Sequence, residues 1–303
     1  MLLGEEERSH MDMKNFDIKN KTYIMGIVNV TPDSFSDGGR WYGQDAAVEH
    51  ARKLAEEGAD IIDVGGESTR PGYIPVSDEE EIKRVVPVIE RIKKELSVPV
   101  SVDTYKSAVA RAALEAGADM VNDIWGFKKD KDMARVAAEY GAACCLMHNR
   151  ERAEYSSFIP DVKSDLEECV NIALRAGVKQ ENIILDPGIG FAKTPVQNLI
   201  VLNRLEELDL GYPVLVGASR KSLIGYALNL PVERREEASV AAAVIAAYKG
   251  AASVRVHNVA GPRPALGMAR AVAKAWRRSG DKTAMKIFPC TALYAARRNS
   301  QVK

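Results

Sequence analysis

Eight apolar segments, each followed by a helix-like segment, predict a single (β/α)8 barrel with its active site at the carboxyl ends of the strands. Two further observations favour this fold. Polar and charged residues come directly after most of the apolar segments, where barrel enzymes carry their functional loops. The competing fold is a doubly wound open sheet that binds a dinucleotide. It is disfavoured because no Gly-x-Gly-x-x-Gly motif follows the first strand.

The predicted strands are short apolar runs of the kind that parallel sheets cover on both faces. The first, residues 23–28, changes to polar residues abruptly at Asn29 and leads into a long loop that ends with two glycines. The other seven are residues 61–64, 98–102, 120–121, 142–147, 183–185, 213–216 and 253–256. Strands that alternate with helices pair in parallel, and right-handed crossovers allow such a sheet to close.

The segments between the strands have apolar residues at helical spacing and stop at glycines such as Gly58 and Gly117. Ser77 followed by Glu80 is the signature of a helix start. The predicted helices are residues 45–57, 77–96, 106–116, 132–140, 160–176 and 195–208, a region interrupted near Pro231 that extends to 249, and 262–278. We therefore divide the chain into an N-terminal extension (1–20), the barrel (21–280) and a C-terminal tail (281–303) without an assigned function.

Composition narrows the possible function and compartment. The 42 Lys and Arg residues balance the 42 Asp and Glu residues, which argues against a dedicated nucleic-acid surface. The longest apolar stretch, residues 240–248, is far shorter than the roughly 20 residues of a membrane span, so we expect no membrane association. The four cysteines lack metal-ligand spacing and are typical of free thiols in a reducing compartment. We therefore expect a cytoplasmic protein.

Two kinds of polar residue follow the strands, and a barrel brings them to one mouth. One kind accepts hydrogen bonds and suits a flat heterocycle with several N–H groups, because buried acceptors need donors. Its members are Asp103, Asn122 and Asp186. The other kind suits a phosphate or diphosphate, and its asparagine can ligate Mg²⁺ through its carbonyl oxygen. Its members are Arg70, Arg255, His257 and Asn29. The joint pattern predicts a ligand with a heterocycle and an anionic group.

Each of these residues, taken singly, also has a structural interpretation. An aspartate after a strand, such as Asp103, is often the cap of the next helix. Asn122 and Asp123 suit a turn as well as they suit a ligand. His148 could be a structural imidazole with its hydrogen bonds satisfied, and a lone lysine such as Lys221 is usually solvated. Only the joint pattern therefore favours a binding site.

Seven sequence blocks carry these polar residues. The first is Asn-Val-Thr-Pro-Asp-Ser-Phe-Ser-Asp-Gly-Gly at 29–39, and the second is Asp-Val-Gly-Gly-Glu-Ser-Thr-Arg-Pro-Gly at 63–72. Shorter blocks follow at 102–106, 122–124, 185–188, 219–221 and 255–257. In this order the blocks resemble those of the dihydropteroate synthase family, which are pterin-binding TIM barrels. The resemblance extends over roughly residues 23 to 278, and blocks this long are much more specific than one short motif.

The resemblance implies a folate-biosynthetic transferase that joins 7,8-dihydropterin-6-ylmethyl diphosphate to 4-aminobenzoate, with Mg²⁺ as cofactor. It implies three groups of binding residues. The pterin would contact Asp103, Asn122, Asp186 and Lys221. The diphosphate would contact Asn29, Arg70, Arg255 and His257, with Asn29 near the metal. The aminobenzoate would contact Phe35, Thr69, Pro71, Ser219 and Lys221. The family is usually a homodimer, and we expect the same assembly here.

The expected reaction breaks a CH₂–O bond, which leaves positive charge on a carbon conjugated to the pterin and negative charge on the diphosphate. We assign catalytic roles to Asp33, Lys221, Arg255 and His257. Cations at the mouth stabilise the departing anion. Asp33, on the first loop, is expected to offset the positive carbon or to accept the amine proton. Closure of the loops 31–39 and 68–73 would exclude water from the cation.

Two other functions stay open at this point. One is a pterin-dependent methyltransferase that acts with a corrinoid protein, and the other is a barrel that binds pterin without catalysis. The loop 31–39 and the block 219–221 favour the synthase. The chain departs from the family pattern at three positions: Asn258 stands where Asp commonly follows the histidine, Ala192 where glycine often precedes the lysine, and Trp125 where small residues are frequent. The first departure predicts weaker orientation of His257.

Overall fold

The structure, a computed structural model, describes residues 21–31, 39–68 and 75–278. Its strands are Tyr23–Asn29 (β1), Ile61–Gly65 (β2), Val100–Asp103 (β3), Met120–Asp123 (β4), Ala143–Met147 (β5), Ile183–Asp186 (β6), Leu215–Val216 (β7) and Ser253–Val256 (β8). Its α-helices are Gly39–Glu56 (α1), Asp78–Glu95 (α2), Ser107–Glu115 (α3), Met133–Glu139 (α4), Phe158–Arg175 (α5), Pro195–Asn203 (α6), Ser222–Leu228 (α7), Glu236–Tyr248 (α8) and Pro262–Arg278 (α9). Short 3-10 helices cover Gln180–Asn182, Leu205–Leu208 and Val232–Arg234.

The predicted barrel is confirmed by the strand pairing. The strands pair in parallel in the order β6-β5-β4-β3-β2-β1-β8-β7. The two ends of this order meet, because Leu185 and Val214 form a parallel bridge and the N–H of Leu185 donates to the carbonyl of Pro213 at 2.9 Å. The sheet therefore closes on itself, which excludes the open doubly wound alternative.

The observed elements differ from the predicted ones mainly at their ends. Pairing continues past the last apolar residue of several strands, so that Gly65 lies opposite Asp103 and Met147 lies opposite Asp186. The reason is that the backbone makes the ladder hydrogen bonds, whatever the polarity of the side chain. Helix α1 begins at Gly39 rather than at residue 45, because the first six residues lack the apolar spacing on which the prediction depended. The cap at Ser77 is observed, with its side chain accepting from the N–H of Glu80.

The core has two layers, as a barrel requires. A small inner cluster fills the barrel below the mouth and consists of Met25, Ile61, Met120, Ala143, Cys145, Ile184 and Leu215. A much larger cluster lies between the strands and the surrounding helices. Each fully buried Ile, Leu or Met side chain contributes about 1.5–3 kcal/mol. Cys144, Cys145 and Cys169 are buried free thiols, and Cys290 lies outside the described residues. None of the helices in the described part of the chain is long and apolar enough to cross a membrane.

Candidate active site

The polar residues at the strand ends lie on the same side of their strands as the residues of the inner core. Asp63 comes two residues after Ile61, Asn122 two after Met120, and Asp186 two after Ile184. Because side chains alternate along a strand, these residues point into the barrel above the residues that fill it. The register extends the layer to β3, where Asp103 pairs with Asn122. The strands therefore place one layer of polar groups directly on an apolar floor.

A hydrogen-bonded network across the barrel confirms that these side chains meet. The Arg255 guanidinium donates through Nε to Asp63 Oδ2 and through an Nη to Asp103 Oδ2, both at 2.6 Å. The amide of Asn122 donates to the same Asp63 oxygen at 3.0 Å. These residues come from β8, β2, β3 and β4, so the contacts between non-neighbouring strands pass through the interior. One arginine thus holds two buried carboxylates.

The network leaves acceptors without partners. Asp63 Oδ1 and Asp103 Oδ1 are buried and have no hydrogen-bond donor among the described residues. Burial raises the pKa of Asp103 above its ordinary value, although the charge of Arg255 opposes this shift. Burial raises the pKa of Asp186 as well, and Lys221 is the largest opposing influence. An unpaired buried acceptor costs free energy, so a ligand that brings N–H donors would be stabilised here.

The loop between β6 and α6 forms the second wall. Asp186 Oδ1 accepts from the N–H of Gly188 at 2.7 Å, which orients the carboxylate. Lys221 enters from the β7–α7 loop, and its ammonium donates to the carbonyl of Ile189. The same ammonium lies 4.8 Å from the centre of the Phe191 ring. Burial lowers the pKa of Lys221 to about 8, while Asp186 opposes that shift. The site therefore pairs a lysine ammonium with a carboxylate beside an aromatic face.

Gly217 leaves space above these groups. A methyl group at this position would lie 3.6 Å from Lys221 Nζ, 3.8 Å from Arg255 Cβ and 4.0 Å from Asp186 Oδ2. Those are ordinary contact distances, so the glycine is not needed to avoid a clash. Its missing side chain opens room between a lysine, an arginine and an aspartate. A flat ligand that reaches both Asp186 and Lys221 would pass through this space.

The rim of the mouth carries His257 and Asn29. Ser219 Oγ lies 3.1 Å from His257 Nδ1 and accepts from the N–H of His257 at 3.3 Å. Ser219 thus orients the His257 ring, and the weaker orientation expected from Asn258 stays a prediction. Asn258 accepts from the N–H of Ala260 in the turn before α9. Asn29 ends β1 opposite Gly65 of β2, and Gly65 in turn lies opposite Asp103 of β3.

The structure brings together most of the predicted site residues that it describes. Asp103, Asn122, Asp186, Lys221 and Arg255 surround one interior space, with His257 and Ser219 paired beyond it. Arg255 lies among the acceptors, whereas the sequence grouped it with the residues expected to bind a phosphate. Its charge is already shared by two carboxylates. Asn29 lies at the end of β1, and the remaining predicted site residues lie outside the described residues; they are Asp33, Phe35, Thr69, Arg70 and Pro71.

Sequence reasoning missed Asp63, which links Arg255 and Asn122. A signal for it was present in the apolar run Ile-Ile-Asp-Val, where the aspartate lies on the same side of the strand as Ile61. A carboxylate buried in this way needs a hydrogen-bond or charge partner. Phe191 was missed as well, since a loop aromatic shows no periodic pattern. Lys193 was also missed, although its Nζ lies 2.7 Å from His148 Nδ1.

No group of three or more His, Cys, Asp or Glu in the described part of the chain could hold a metal ion alone. The Mg²⁺ ion that the resemblance implies would not need such a group. Mg²⁺ keeps several waters and is usually held by one or two protein oxygens plus substrate phosphates. The carbonyl oxygen of Asn29, at the rim, is a ligand of that type.

Comparison with known proteins agrees with this geometry. The family model described as "Pterin binding enzyme" matches residues 25–257. The dihydropteroate synthase of Clostridium beijerinckii is 62% identical over 248 residues, which cover 81% of this chain and 92% of that protein. A crystal structure of the dihydropteroate synthase of Clostridium difficile in the presence of pteroic acid has a TM-score of 0.83 and 49% identity, and covers 85% of this chain and 98% of that one. The Xanthomonas albilineans dihydropteroate synthase with 4-aminobenzoic acid has a TM-score of 0.81 and 44% identity, covering 84% and 94%.

Proposed function

The chain belongs to the dihydropteroate synthase family of pterin binding enzymes, and from this premise we propose how its barrel mouth performs the reaction. The enzyme is a transferase of folate biosynthesis that condenses 7,8-dihydropterin-6-ylmethyl diphosphate with 4-aminobenzoate. The products are 7,8-dihydropteroate and pyrophosphate. The observation that carries the assignment of roles is the layer of buried acceptors, Asp103, Asn122 and Asp186, beside Lys221 and Arg255.

The pterin binds on the floor of the mouth in this proposal. Its ring N–H and amino groups donate to Asp186 and to the unpartnered Oδ1 of Asp103. Asn122 adds one acceptor or donor, because its amide has both. Lys221 donates to the carbonyl side of the ring, and Gly217 leaves the room that the ring needs. Support comes from the related Clostridium difficile enzyme, whose structure was determined in the presence of pteroic acid.

The diphosphate lies toward the rim, near His257, Asn29 and Arg70. Mg²⁺ there supplies a Lewis acid that neutralises the diphosphate oxygens. Asn29 would hold the metal through its side-chain carbonyl oxygen, and His257, oriented by Ser219, would donate to a phosphate oxygen. Arg255 contributes positive charge from below, because Asp63 and Asp103 fix its guanidinium. These groups stabilise the charge that develops on the leaving diphosphate as the CH₂–O bond breaks.

The aromatic amine then attacks the exposed carbon and loses a proton. An aromatic amine is uncharged near neutral pH, so no strong base has to activate it. We place the aminobenzoate beside Lys221 and Ser219, with the residues Phe35, Thr69 and Pro71 of the two long loops around it. Asp33 accepts the amine proton or offsets the positive carbon. The related Xanthomonas albilineans structure with 4-aminobenzoic acid supports this substrate.

The direct test combines purified protein, Mg²⁺, the pterin diphosphate and 4-aminobenzoate, and measures dihydropteroate and pyrophosphate. We expect both products in equal amounts, with loss of turnover when Mg²⁺ is chelated. Chelation without effect would remove the metal from the proposal. Pterin binding without release of pyrophosphate would indicate a barrel that binds without catalysis. Methyl transfer from a reduced folate to a corrinoid protein would indicate the methyltransferase instead.

We also propose that the enzyme is a cytoplasmic homodimer. Six of the nine large apolar side chains exposed in the described residues lie on α6, α7, α8 and the 3-10 helix before α8, and exposed apolar patches often mark an interface. They are Val196, Leu199, Tyr226, Leu228, Val232 and Ile245. Light scattering should give twice the mass of one chain, and the double substitution Leu228→Glu with Ile245→Glu should give monomers. A monomeric wild-type protein would contradict the dimer.

A further inference from the structure

Lys193 is a part-buried lysine near the mouth to which the proposed reaction gives no role, and burial lowers its pKa to about 7. Its ammonium lies 2.7 Å from His148 Nδ1, 3.0 Å from the carbonyl oxygen of Gly188 and 3.2 Å from that of Phe191. These three acceptors match the three N–H donors of an ammonium. Lys193 therefore joins the start and the end of the β6–α6 loop to the end of β5.

His148 is fixed on its other side. Its Nε2 lies 3.0 Å from Asp165 Oδ2, and the Asp165 carboxylate also accepts from Arg150. Since a carboxylate accepts, Nε2 carries the proton and Nδ1 is left as the acceptor that faces Lys193. Burial lowers the pKa of His148 to about 4, so the ring is neutral near pH 7, as this arrangement needs. The imidazole is fully buried just after the end of β5.

The loop held by Lys193 contains three residues with positive φ angles. Gly188, Gly190 and Ala192 have φ angles of +69°, +87° and +43°. A methyl group at Gly188 would lie 2.0 Å from the carbonyl oxygen of His148, so the loop also packs tightly against β5. Ala192, one of the departures from the family pattern, adopts a conformation that glycine accepts more readily. External contacts must therefore maintain the loop, and the carbonyl of Ala192 accepts such a contact from the Tyr155 hydroxyl at 2.7 Å.

The same loop supplies both contacts to Lys221. Ile189 provides the carbonyl that accepts from the Lys221 ammonium, and Phe191 provides the ring against which the ammonium lies. Lys193 contacts the carbonyl oxygens of Gly188 and Phe191. Ile189 lies between these two residues, and Phe191 carries the second carbonyl. If the loop moves, Lys221 loses its acceptor and its aromatic neighbour together. The position of Lys221 therefore depends on a residue that the substrate does not touch.

We propose that Lys193 is a positioning residue for the reaction, which ties the β6–α6 loop to His148 and thereby holds Lys221 in place above Asp186. This inference rests on the proposed role of Lys221 in binding the pterin. Lys193 acts through the loop and contacts neither substrate. Other charged groups face it as well, namely Asp186, Lys221, Asp165 and Arg150. A purely electrostatic effect on Asp186 is thus the main rival explanation, and the experiment has to separate the two.

The first measurement compares Lys193→Met with Lys179→Met. Methionine has nearly the length of lysine but no donors, and Lys179 is an exposed lysine in the turn after α5, so it controls for the substitution itself. We expect Lys193→Met to lower kcat/KM for the pterin diphosphate between about 10- and 100-fold, as displacement of a site residue by about an ångström does. Lys179→Met should stay within about twofold of the wild type, which is the range of a neutral surface change. Circular dichroism verifies that each variant is folded at the assay temperature.

A double-mutant cycle with Lys221→Ala then identifies the route. If Lys193 works through Lys221, removing Lys221 should abolish the effect, so Lys193→Met should change the Lys221→Ala enzyme by less than about twofold. Affinity for 6-hydroxymethyl-7,8-dihydropterin, measured by calorimetry, provides the same cycle when turnover is too slow to follow. An equal loss in both backgrounds, or a Lys193→Met enzyme with wild-type kcat/KM, would overturn the proposal.

His148→Gln serves where Lys193→Met does not fold. The glutamine amide can replace Nε2 toward Asp165 but offers no acceptor at the position of Nδ1. We expect a smaller loss of kcat/KM, about three- to tenfold, that again disappears in the Lys221→Ala background. An inactive wild-type enzyme would instead count against the proposed function, because the positioning inference concerns only differences from an active wild type.

Discussion

Arg255 sets the charge balance of the candidate site. Burial lowers its pKa, but Asp63 and Asp103 outweigh burial and raise the pKa above its ordinary value, so the guanidinium is permanently charged. It keeps one oxygen of each carboxylate occupied and leaves the other oxygen of each for a ligand. Removing one partner from such a network leaves a buried charge unpaired, which is expensive. Substitutions at the rim should therefore disturb the site less than substitutions of Arg255, Asp63 or Asp103.

Asp186→Asn should weaken pterin binding strongly. The substitution turns one acceptor oxygen into a donor, and the ligand N–H that pointed at it would face another N–H. We expect a loss of about 1–3 kcal/mol, or roughly 5- to 150-fold in the dissociation constant. Calorimetry with 6-hydroxymethyl-7,8-dihydropterin measures it. An unchanged affinity would place the pterin elsewhere.

The pH dependence of kcat/KM should show the titration of Lys221. Burial lowers the pKa of its ammonium to about 8, and only the charged form donates fully to the pterin. Since kcat/KM reports the free enzyme, we expect it to fall as the pH rises through about 8. In Lys221→Arg the cation persists, so the decrease should move to higher pH. A wild-type profile that stays level up to pH 10 would contradict this assignment.

At the scale of single residues, the sequence predicted which residues form the site better than it predicted which side chains those residues contact. Asp103, Asn122, Asp186 and Lys221 could be found because each follows a strand. The link through Asp63 could not, since which carboxylate an arginine selects depends on distances across the barrel. The pairing of Ser219 with His257 was unpredictable for the same reason. Asp33, Phe35, Thr69, Arg70 and Pro71 remain predictions.

At the scale of elements, the β6–α6 and β7–α7 loops form one unit. Lys221 from the second loop donates to Ile189 in the first, and a methyl group at Gly190 would approach Lys221 Cδ to 3.0 Å. The strand-then-helix pattern predicted where these loops begin and end, but not their mutual contact. Of the three positive φ angles in the first loop, those of Gly188 and Gly190 are typical of glycine, whereas that of Ala192 has no such local signal.

Gly217→Ala tests whether the space between these loops is the ligand site. The added methyl group meets Lys221, Arg255 and Asp186 at ordinary contact distances, so the free protein should keep its stability to within about 1 kcal/mol. The same methyl group would occupy ligand volume, and we expect pterin affinity to fall by roughly tenfold or more. Thermal melting and calorimetry on one preparation separate the two effects. Wild-type affinity in the variant would show that the ligand does not use this space.

At the scale of the whole molecule, the number and order of the strands and helices were predictable, because the spacing of apolar residues and the length of each segment specify them. Eight apolar runs with helical segments between them leave few topologies. Closure into a barrel was an expectation that required the pairing of β6 with β7, whose only observed bridge joins Leu185 to Val214. The division at residues 20 and 280 stays a prediction, because both terminal segments lie outside the described residues.

The stability of the barrel should depend on pH through His148. Its pKa is lowered to about 4 by burial, against 6.5 for an exposed imidazole. Below pH 6.5 the unfolded chain binds a proton that the native protein does not, so this contribution is complete above pH 6.5 and is lost as the pH falls to about 4. At about 1.4 kcal/mol per pH unit, the loss is about 3 kcal/mol. Urea unfolding of wild type and His148→Gln at pH 7 and pH 4.5 should show a steeper decline in the wild type. Parallel declines would mean that another group is responsible.

The seam between β6 and β7 has one further consequence. Only two residues form β7, and the joint relies on the bridge at Val214 and the hydrogen bond from Leu185 to Pro213. Asp186 stands at the end of one side of that joint, and Gly217 and Lys221 follow the other. A ligand that contacts residues on both sides would bridge the junction where β6 and β7 are joined by this bridge and this hydrogen bond. Amide protons at the junction of β6 and β7 should therefore exchange with solvent more slowly when the ligand is bound. Hydrogen exchange of these backbone amides would then report ligand binding.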